Sequence, residues 1–150
     1  MPETTPSTGP RARRARDDEL PAVLALRFAV FCVEQGVPEE LEHDDADATA
    51  VHLVLEDAGA VIGTCRLVGT GGRIRLGRMA VARERRGQGL GAVLLAHAHE
   101  VAARDGAREV ELHAQVDVRG FYERAGYRAE GEVFREAGIA HVAMRRPLPR

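Results

Sequence analysis

The stretch RERRGQGLGAVLLAHA, residues 83–98, sets three glycines within five positions, after four charged residues and before an apolar helical run. Glycine makes a poor helix opening on propensity alone. The segment therefore has another purpose. A helix N-terminus exposes unpaired backbone N–H groups and a partial positive charge. Glycines there let a ligand touch the backbone directly. A strand, a glycine-rich loop and a helix in succession make a cradle for a pyrophosphate. Arg85 and Arg86 add charge at its mouth.

Three phosphate chemistries use such a loop. The P-loop needs a lysine, and the chain contains none. The dinucleotide fingerprint sets GxGxxG tightly after a strand, with an acid about 20 residues further on. Here the glycines read GxGxG (Gly87, Gly89, Gly91), and four charged residues part them from the strand. The acids near the required distance, Glu109 and Glu111, fall inside the next strand, and there is only one strand–helix–strand unit. The third pattern, R-x-x-G-x-G, is met by Arg86, Gly89 and Gly91. On the motif alone, a glycine-rich turn with surface arginines stays open beside it.

The chain around this loop reads as one domain. Its 150 residues suit a single core. They are 45% apolar and 29% charged, with no tryptophan and only 4% aromatics, so Leu, Val and Ala must fill the interior. A net charge of −2 supplies no field for nucleic acid, and no apolar run approaches a membrane span. Residues 1–16 are partly basic but lack the apolar core of a secretory signal, so the cytoplasm is the expected compartment. Cys32 and Cys65 form no CxxC or zinc pattern and sit among apolar residues. They read as buried free thiols, with no local support for a thiol nucleophile. A homodimer is compatible with the sequence, which carries no readable sign of one.

Residues 1–10 are predicted to be a disordered tail, and the domain spans 11–150. RARRAR (11–16) reads equally as an edge strand or a solvated basic tail. Asp17 is the expected N-cap of a helix running to Gln35, with Val23, Leu26, Val30 and Val33 on one stripe and Gly36 and Pro38 stopping it. Residues 38–48 form an acidic loop. Period-two runs then predict strands at 48–57, 60–69 and 73–81, joined by turns at 58–59 and 70–72. A helix follows over 89–104, with Leu90, Leu94, Ala98 and Val101 on its inner stripe. A strand at 108–116, a short helix at 117–126 and a hairpin of 127–136 with 139–147 complete the chain. The central strand–helix–strand must be a parallel crossover. The remaining pairings are antiparallel, so the sheet is mixed.

The stretch MAVARERRGQGLGAVLL (79–95) resembles the coenzyme A signature of the GNAT superfamily of N-acetyltransferases. FYERAGY (121–127) resembles that family's Y-x-x-x-G-[FY] segment. RFAVFCVEQGVPEELEHDDADATAVHLV, TCRLV, GRMAV, AQ and GIAHVAM are together similar to its ElaA-like branch, across nearly the whole chain beyond residue 16. Glu39 and Glu40 stand where that branch often has tyrosine or aspartate. The resemblance implies an α/β GNAT (acyl-CoA N-acyltransferase) fold: a mixed, twisted sheet of six to seven strands flanked by helices. It implies acetyl-CoA-dependent transfer of an acetyl group to a primary amine by direct attack, with no metal, nucleic acid or membrane partner. Arg86, Gly87, Gln88, Gly89 and Gly91 then hold the pyrophosphate. Met79 and Val81 pair with the pantetheine, and an N–H between them faces the thioester oxygen. Gln115 stands where the family often has an asparagine against the pantetheine arm. Tyr122 protonates the departing thiolate.

The N-terminal half also resembles acyl-homoserine lactone synthases through Arg27, Val30, Phe31, Glu42, Asp44 and Asp47. Those enzymes are longer and usually carry a tryptophan that this chain lacks. A coenzyme A-binding module without turnover is a third reading. The acceptor amine must lose a proton. Candidates for that side are Glu34, Asp44, Asp47, His52, His113 and His141, and bulk water serves as well; the sequence does not choose among them. His113 shares a strand face with Gln115, whereas His97 and His99 read as helix surface. The acids of 39–47 form either a solvated loop or an anionic rim that attracts a cationic amine. They lack the glycine and terminal glutamate of an EF-hand.

Overall fold

The computed structural model describes residues 9–69 and 71–149. The expected disordered tail falls mostly on residues 1–8, outside the described residues; Gly9 and Pro10 lead straight into the first strand. Seven strands make one sheet: β1 (Arg11–Arg14), β2 (Val51–Asp57), β3 (Ala60–Val68), β4 (Arg73–Val81), β5 (Glu109–Gln115), β6 (Arg128–Glu136) and β7 (Ile139–Pro147). Their order is β1-β2-β3-β4-β5-β7-β6. RARR is thus an edge strand, paired antiparallel with β2. The hairpins β2–β3 and β6–β7 each turn on an Ala-Gly pair with positive φ at both residues, 50° and 84° at Ala58–Gly59 and 52° and 78° at Ala137–Gly138. That backbone twist matches the twist of the flanking strands.

Helices α1 (Leu20–Arg27), α2 (Glu39–Glu42), α3 (Leu90–Arg104) and α4 (Arg119–Arg124) flank the sheet. No helix among the described residues is long and apolar enough to cross a membrane. The main core lies under α3, where Leu94, Leu95 and Ala98 meet Leu53, Leu55, Leu67, Leu76, Val110 and Leu112 from the alternate positions of four strands. α1 packs on the other face. It runs on not as α-helix but as a wider π-helix over Phe28–Glu34, whose last turn has Gln35 N–H donating to Val30 C=O. The widening breaks the expected apolar stripe. Val23 and Val30 are buried, but Val33 is rotated out and 69% exposed. π-turns of this kind recur at functional sites.

The acidic run also differs from the expected loop. Residues 39–42 are helical and Asp45–Ala48 form a 3-10 turn, and each turns one acid inward, Glu42 and Asp47. Asp47 accepts from Arg27 at 2.7 and 3.1 Å and from Arg66 at 2.9 Å. Glu42 accepts from Arg27 Nε, and Asp44 takes both ends of Arg66 at 2.6 and 2.9 Å. Arg27 is only 1% exposed. Burial works against the Asp47 charge, but its bonds to Arg27 and Arg66 prevail and hold that carboxyl far below its usual range. This network takes Glu42 and Asp47 out of the expected acidic surface, while Glu39, Glu40, Asp44 and Asp45 of the run keep exposed positions.

His99 is a further correction. It is half-buried against α4's neighbourhood, its Nε2 sharing a hydrogen bond with the Tyr127 hydroxyl at 2.7 Å. Burial pushes it down to about 4, with Arg146 adding repulsion.

Two outcomes follow from these buried charges. Arg27→Met strands Glu42 and Asp47 with less positive charge and should lower the unfolding free energy by about 3–5 kcal/mol in a urea titration; a loss below about 1 kcal/mol would show the carboxylates finding water instead. The unfolded His99 ring takes its proton near 6.5, the folded one only near 4. Stability therefore falls as pH drops through that window, because the unfolded chain binds the extra proton. Melting curves of His99→Gln should lack this part of the pH dependence.

Candidate active site

β4 and β5 are parallel neighbours for three residue pairs only, Arg73↔Glu109, Ile74↔Val110 and Arg75↔Glu111. Beyond them the strands part. The cause is visible in β4, where Gly77 faces Arg66 and Ala80 faces Thr64, so Arg78 and Met79 together oppose Cys65. This is a β-bulge, which bends a strand and re-aims its side chains. Arg78 takes a φ of 53° there. Its guanidinium donates to Glu42 C=O at 3.0 Å, tying the bend to α2. Backbone polar groups alternate between strand edges. Ala82 N–H donates to Ile62 C=O on β3 at 2.8 Å, so the N–H and C=O of Val81, and of Met79 two residues back, face the open cleft.

At the wide end of that cleft lies the glycine loop. Gly87 and Gly89 have φ of 78° and 76°, and no atom lies within 4 Å of where a Cβ would stand on either. The requirement for glycine is thus conformational, and the space a side chain would fill is empty. Val93 N–H is the first of α3 to turn back, donating to Gly89 C=O. Among the described residues, none accepts from the amides of Gly87, Gln88, Gly89, Leu90, Gly91 and Ala92. Six successive free N–H groups at a helix N-terminus form an anion site. Gly91 has a second reason to lack a side chain: a Cβ there would meet the Phe121 ring at 3.3 Å. Arg86 Nε donates to Val81 C=O at 3.0 Å, and its two outer nitrogens hold Glu34 at 2.7 and 3.0 Å. Glu34 is held below its usual range by those bonds.

Tyr122 reaches the cleft from α4. It is 8% exposed, and its hydroxyl points at Met79 Sδ, 3.8 Å away. Burial raises its pKa well above the ordinary phenol value, so the hydroxyl keeps its proton throughout the neutral range. Its ring is fixed edge-on between Phe121 and Tyr127. Cys65, behind β4, is no nucleophile: it is buried and its thiol is pushed up to about 12.

On the α1 face of the sheet, Gln115 closes β5 and donates from Nε2 to Gln35 Oε1 at 2.8 Å, bridging to the π-turn. His141 is its register partner on β7, and Phe134 of β6 lies beyond. His113, two residues back on β5, meets Glu136 at 2.9 Å. The acceptor candidates therefore separate. Glu34, His113 and His141 stand around the cleft's α1 side. Asp44 and Asp47 are removed from that list, because Arg27 and Arg66 hold them as fold-building charges. His52 Nε2 is bonded to Asp47 C=O at 3.0 Å, and its Nδ1 is shut off from solvent with no partner. Gln35, Phe134 and Glu136 had no motif to mark them. Only the pairing register of the last hairpin, set by its Ala-Gly turn, places Phe134 and Glu136 beside the histidines.

A mixed seven-stranded sheet parted at β4–β5, with a free-amide helix start at the wide end, defines an acyl-CoA N-acyltransferase architecture. Residues 13–148 match the model of the Acetyltransferase (GNAT) domain, and the chain belongs to that family. It is 33% identical to the Bacillus subtilis protein named "Uncharacterized N-acetyltransferase YjcF", over 85% of this chain and 92% of that one. It is 34% identical to an acyl-CoA N-acyltransferase of Pseudomonas aeruginosa, with a TM-score of 0.80 over 93% of this chain and 99% of that one. Escherichia coli ElaA superposes with a TM-score of 0.79 at 27% identity, over 92% of this chain and 99% of that one. The protein is a GNAT acetyltransferase with an ElaA-like structural relative.

Proposed function

We propose that residues 11–150 form one catalytic domain that carries an acetyl group from acetyl-CoA to a primary amine by direct attack. The six free amides from Gly87 to Ala92 carry this reading, because no described residue satisfies them and the side-chain space at Gly87 and Gly89 is open. The pyrophosphate of the donor is assigned to Arg86, Gly87, Gln88, Gly89 and Gly91, and its pantetheine to the cleft-facing backbone of Met79 and Val81, with Gln115 on the opposite wall. When bound, acetyl-CoA supplies the activated thioester; the chain does the rest. A cleft-facing amide at Met79 or Val81 donates to the thioester oxygen as negative charge develops there. Tyr122 gives its proton to the departing sulfur. The amine enters from the side of Glu34, His113 and His141. The compartment is the cytoplasm, where the free Cys32 and Cys65 stay reduced.

The deciding experiment is thermal. Acetyl-CoA at about 100 times its dissociation constant should add about 2.7 kcal/mol of stability, whereas NAD should add none. Gly89→Val should abolish the shift while the circular dichroism spectrum stays that of a folded chain. The β-branched side chain opposes the left-handed φ and stands before the amides. An equal shift with NAD, or an undiminished shift in the variant, would move the phosphate site elsewhere.

Tyr122→Phe should leave acetyl-CoA affinity nearly unchanged, since the ring still packs. The turnover number should fall about 10²–10⁴-fold, the usual worth of a positioned proton donor. The loss should shrink with an activated aryl thioester, whose thiolate departs without a proton. An equal loss on both thioesters would mark Tyr122 as a positioning group only.

A further inference from the structure

The acceptor side holds a cluster that no motif announced: His113, Phe134, Glu136 and His141, where β5, β7 and β6 lie side by side. The tautomers are fixed by chemistry. His141 Nδ1 is 2.7 Å from Ile139 C=O, and a carbonyl only accepts, so Nδ1 carries the hydrogen. The lone pair of the neutral ring is then on Nε2. That atom faces Glu136 Oε2 at 3.8 Å, too far for a hydrogen bond. A lone pair and a carboxylate oxygen both accept, so this gap suits a group that donates to both. The other oxygen, Glu136 Oε1, accepts from His113 Nδ1 at 2.9 Å. Phe134 separates the two imidazoles, edge-on to His113 at 5.0 Å and stacked on His141 at 6.1 Å. His141 is 7% exposed, yet its register partner Gln115 ends β5 at the cleft.

The other candidates are already engaged. Glu34 is clamped by Arg86, Asp44 and Asp47 by arginines, and His52 by a backbone carbonyl. His97 and His99 lie on α3, across the sheet. The charged and titratable groups around His141 are Glu136 from β6 and His113 from β5; Gln115 and Phe134, its neighbours in register, are neutral.

We propose that His141 Nε2 takes the proton from the acceptor's ammonium group, which Glu136 holds in the gap between them, and that the acceptor class is therefore a protonated primary alkylamine. Glu136 is the positioning residue, with His113 fixing its other oxygen. This rests on the transferase reading above. The ammonium gives up two protons in all. One passes to His141 and on to solvent, freeing the nitrogen lone pair. The second leaves the nitrogen as the C–N bond forms and the C–S bond breaks, and it replaces the proton Tyr122 gives to the sulfur.

The test has two arms. In the free protein, long-range ¹⁵N–¹H spectra should show His141 with its hydrogen on Nδ1, and n-butylammonium should shift His141 and leave His99 unmoved. The opposite tautomer, or no response to the amine, overturns the proposal without any cofactor present. The second arm is kinetic, with the primary amine that the wild type acetylates fastest. His141→Gln should lower kcat/KM about 10²–10⁴-fold at unchanged acetyl-CoA affinity, and should erase the acid limb of the pH profile. His113→Gln should keep that limb. Glu136→Gln, an exposed change that spares the fold, should raise the amine's KM and leave kcat nearly unchanged, since the ammonium loses its carboxylate partner. A limb lost with His113 but kept without His141, or an amine KM unmoved in Glu136→Gln, overturns the assignment. Failure of acetyl-CoA to bind sinks the transferase reading alone.

Discussion

Asp47 is the point on which the α1 side of the molecule closes. Arg27 reaches it from α1, Arg66 from β3, and His52 of β2 bonds its carbonyl. Through Glu42 and Asp44 the same network takes in α2 and the bulged strand, because Arg78 donates to Glu42 C=O and lies 3.4 Å from Asp44. Charges this deep are costly to bury and are tolerated only when every oxygen finds a donor. In this cluster Asp44 and Asp47 meet that condition at both oxygens and Glu42 at Oε1, with three guanidiniums, which are planar and matched to carboxylates. Its yield is positional: the start of the π-turn, the acidic segment and the bend in β4 are referred to one set of hydrogen bonds.

The bend is what makes a cleft out of a sheet. A parallel pair of full length would leave β4 no free edge beside β5. With the ladder confined to three pairs, the edge from Met79 to Val81 is open, and a ligand chain can take the place of a missing strand. The amide cradle then lies at the right end, because α3 begins where β4 stops. Tyr122 approaches from the α3–α4 face, and Gln35, Gln115 and His141 lie on the α1 face. Two reactants can thus enter from opposite sides of one sheet, which is the arrangement direct transfer requires.

Much of this was legible in the chain. Alternation fixed the strands to within a few residues, the Ala-Gly pairs gave both hairpins, and the spacing from Val81 to Gly91 located the cradle. The residues that escaped share a physical cause: each depends on contacts distant in sequence. Glu42 and Asp47 lie in an acidic run that reads as loop or rim, and nothing local ties them to Arg27 and Arg66 until the fold brings them together. Val33 sits at α-helical spacing, but local propensity does not report a π-turn. His99 looks like surface because its partner, Tyr127, comes from beyond the next strand. Glu136 carries no motif, and only the register of β6 on β7 sets it between two histidines.

Arg86 joins the two halves of the cleft. Its outer nitrogens hold Glu34 of the π-turn while its Nε holds Val81 C=O, and it also follows the bulge strand into the amide loop. An anion settling on those amides shares this guanidinium with Glu34. The pull on Arg86 then weakens its hold on Glu34, and the carboxylate charge facing the acceptor side grows. The reverse is equally true, since coupling between two sites is reciprocal. A cation placed near Glu34 loosens the same pair and leaves Arg86 more available to a phosphate. On the proposed transfer, one exposed ion pair, Arg86 with Glu34, therefore borders both the donor's cradle and the acceptor side.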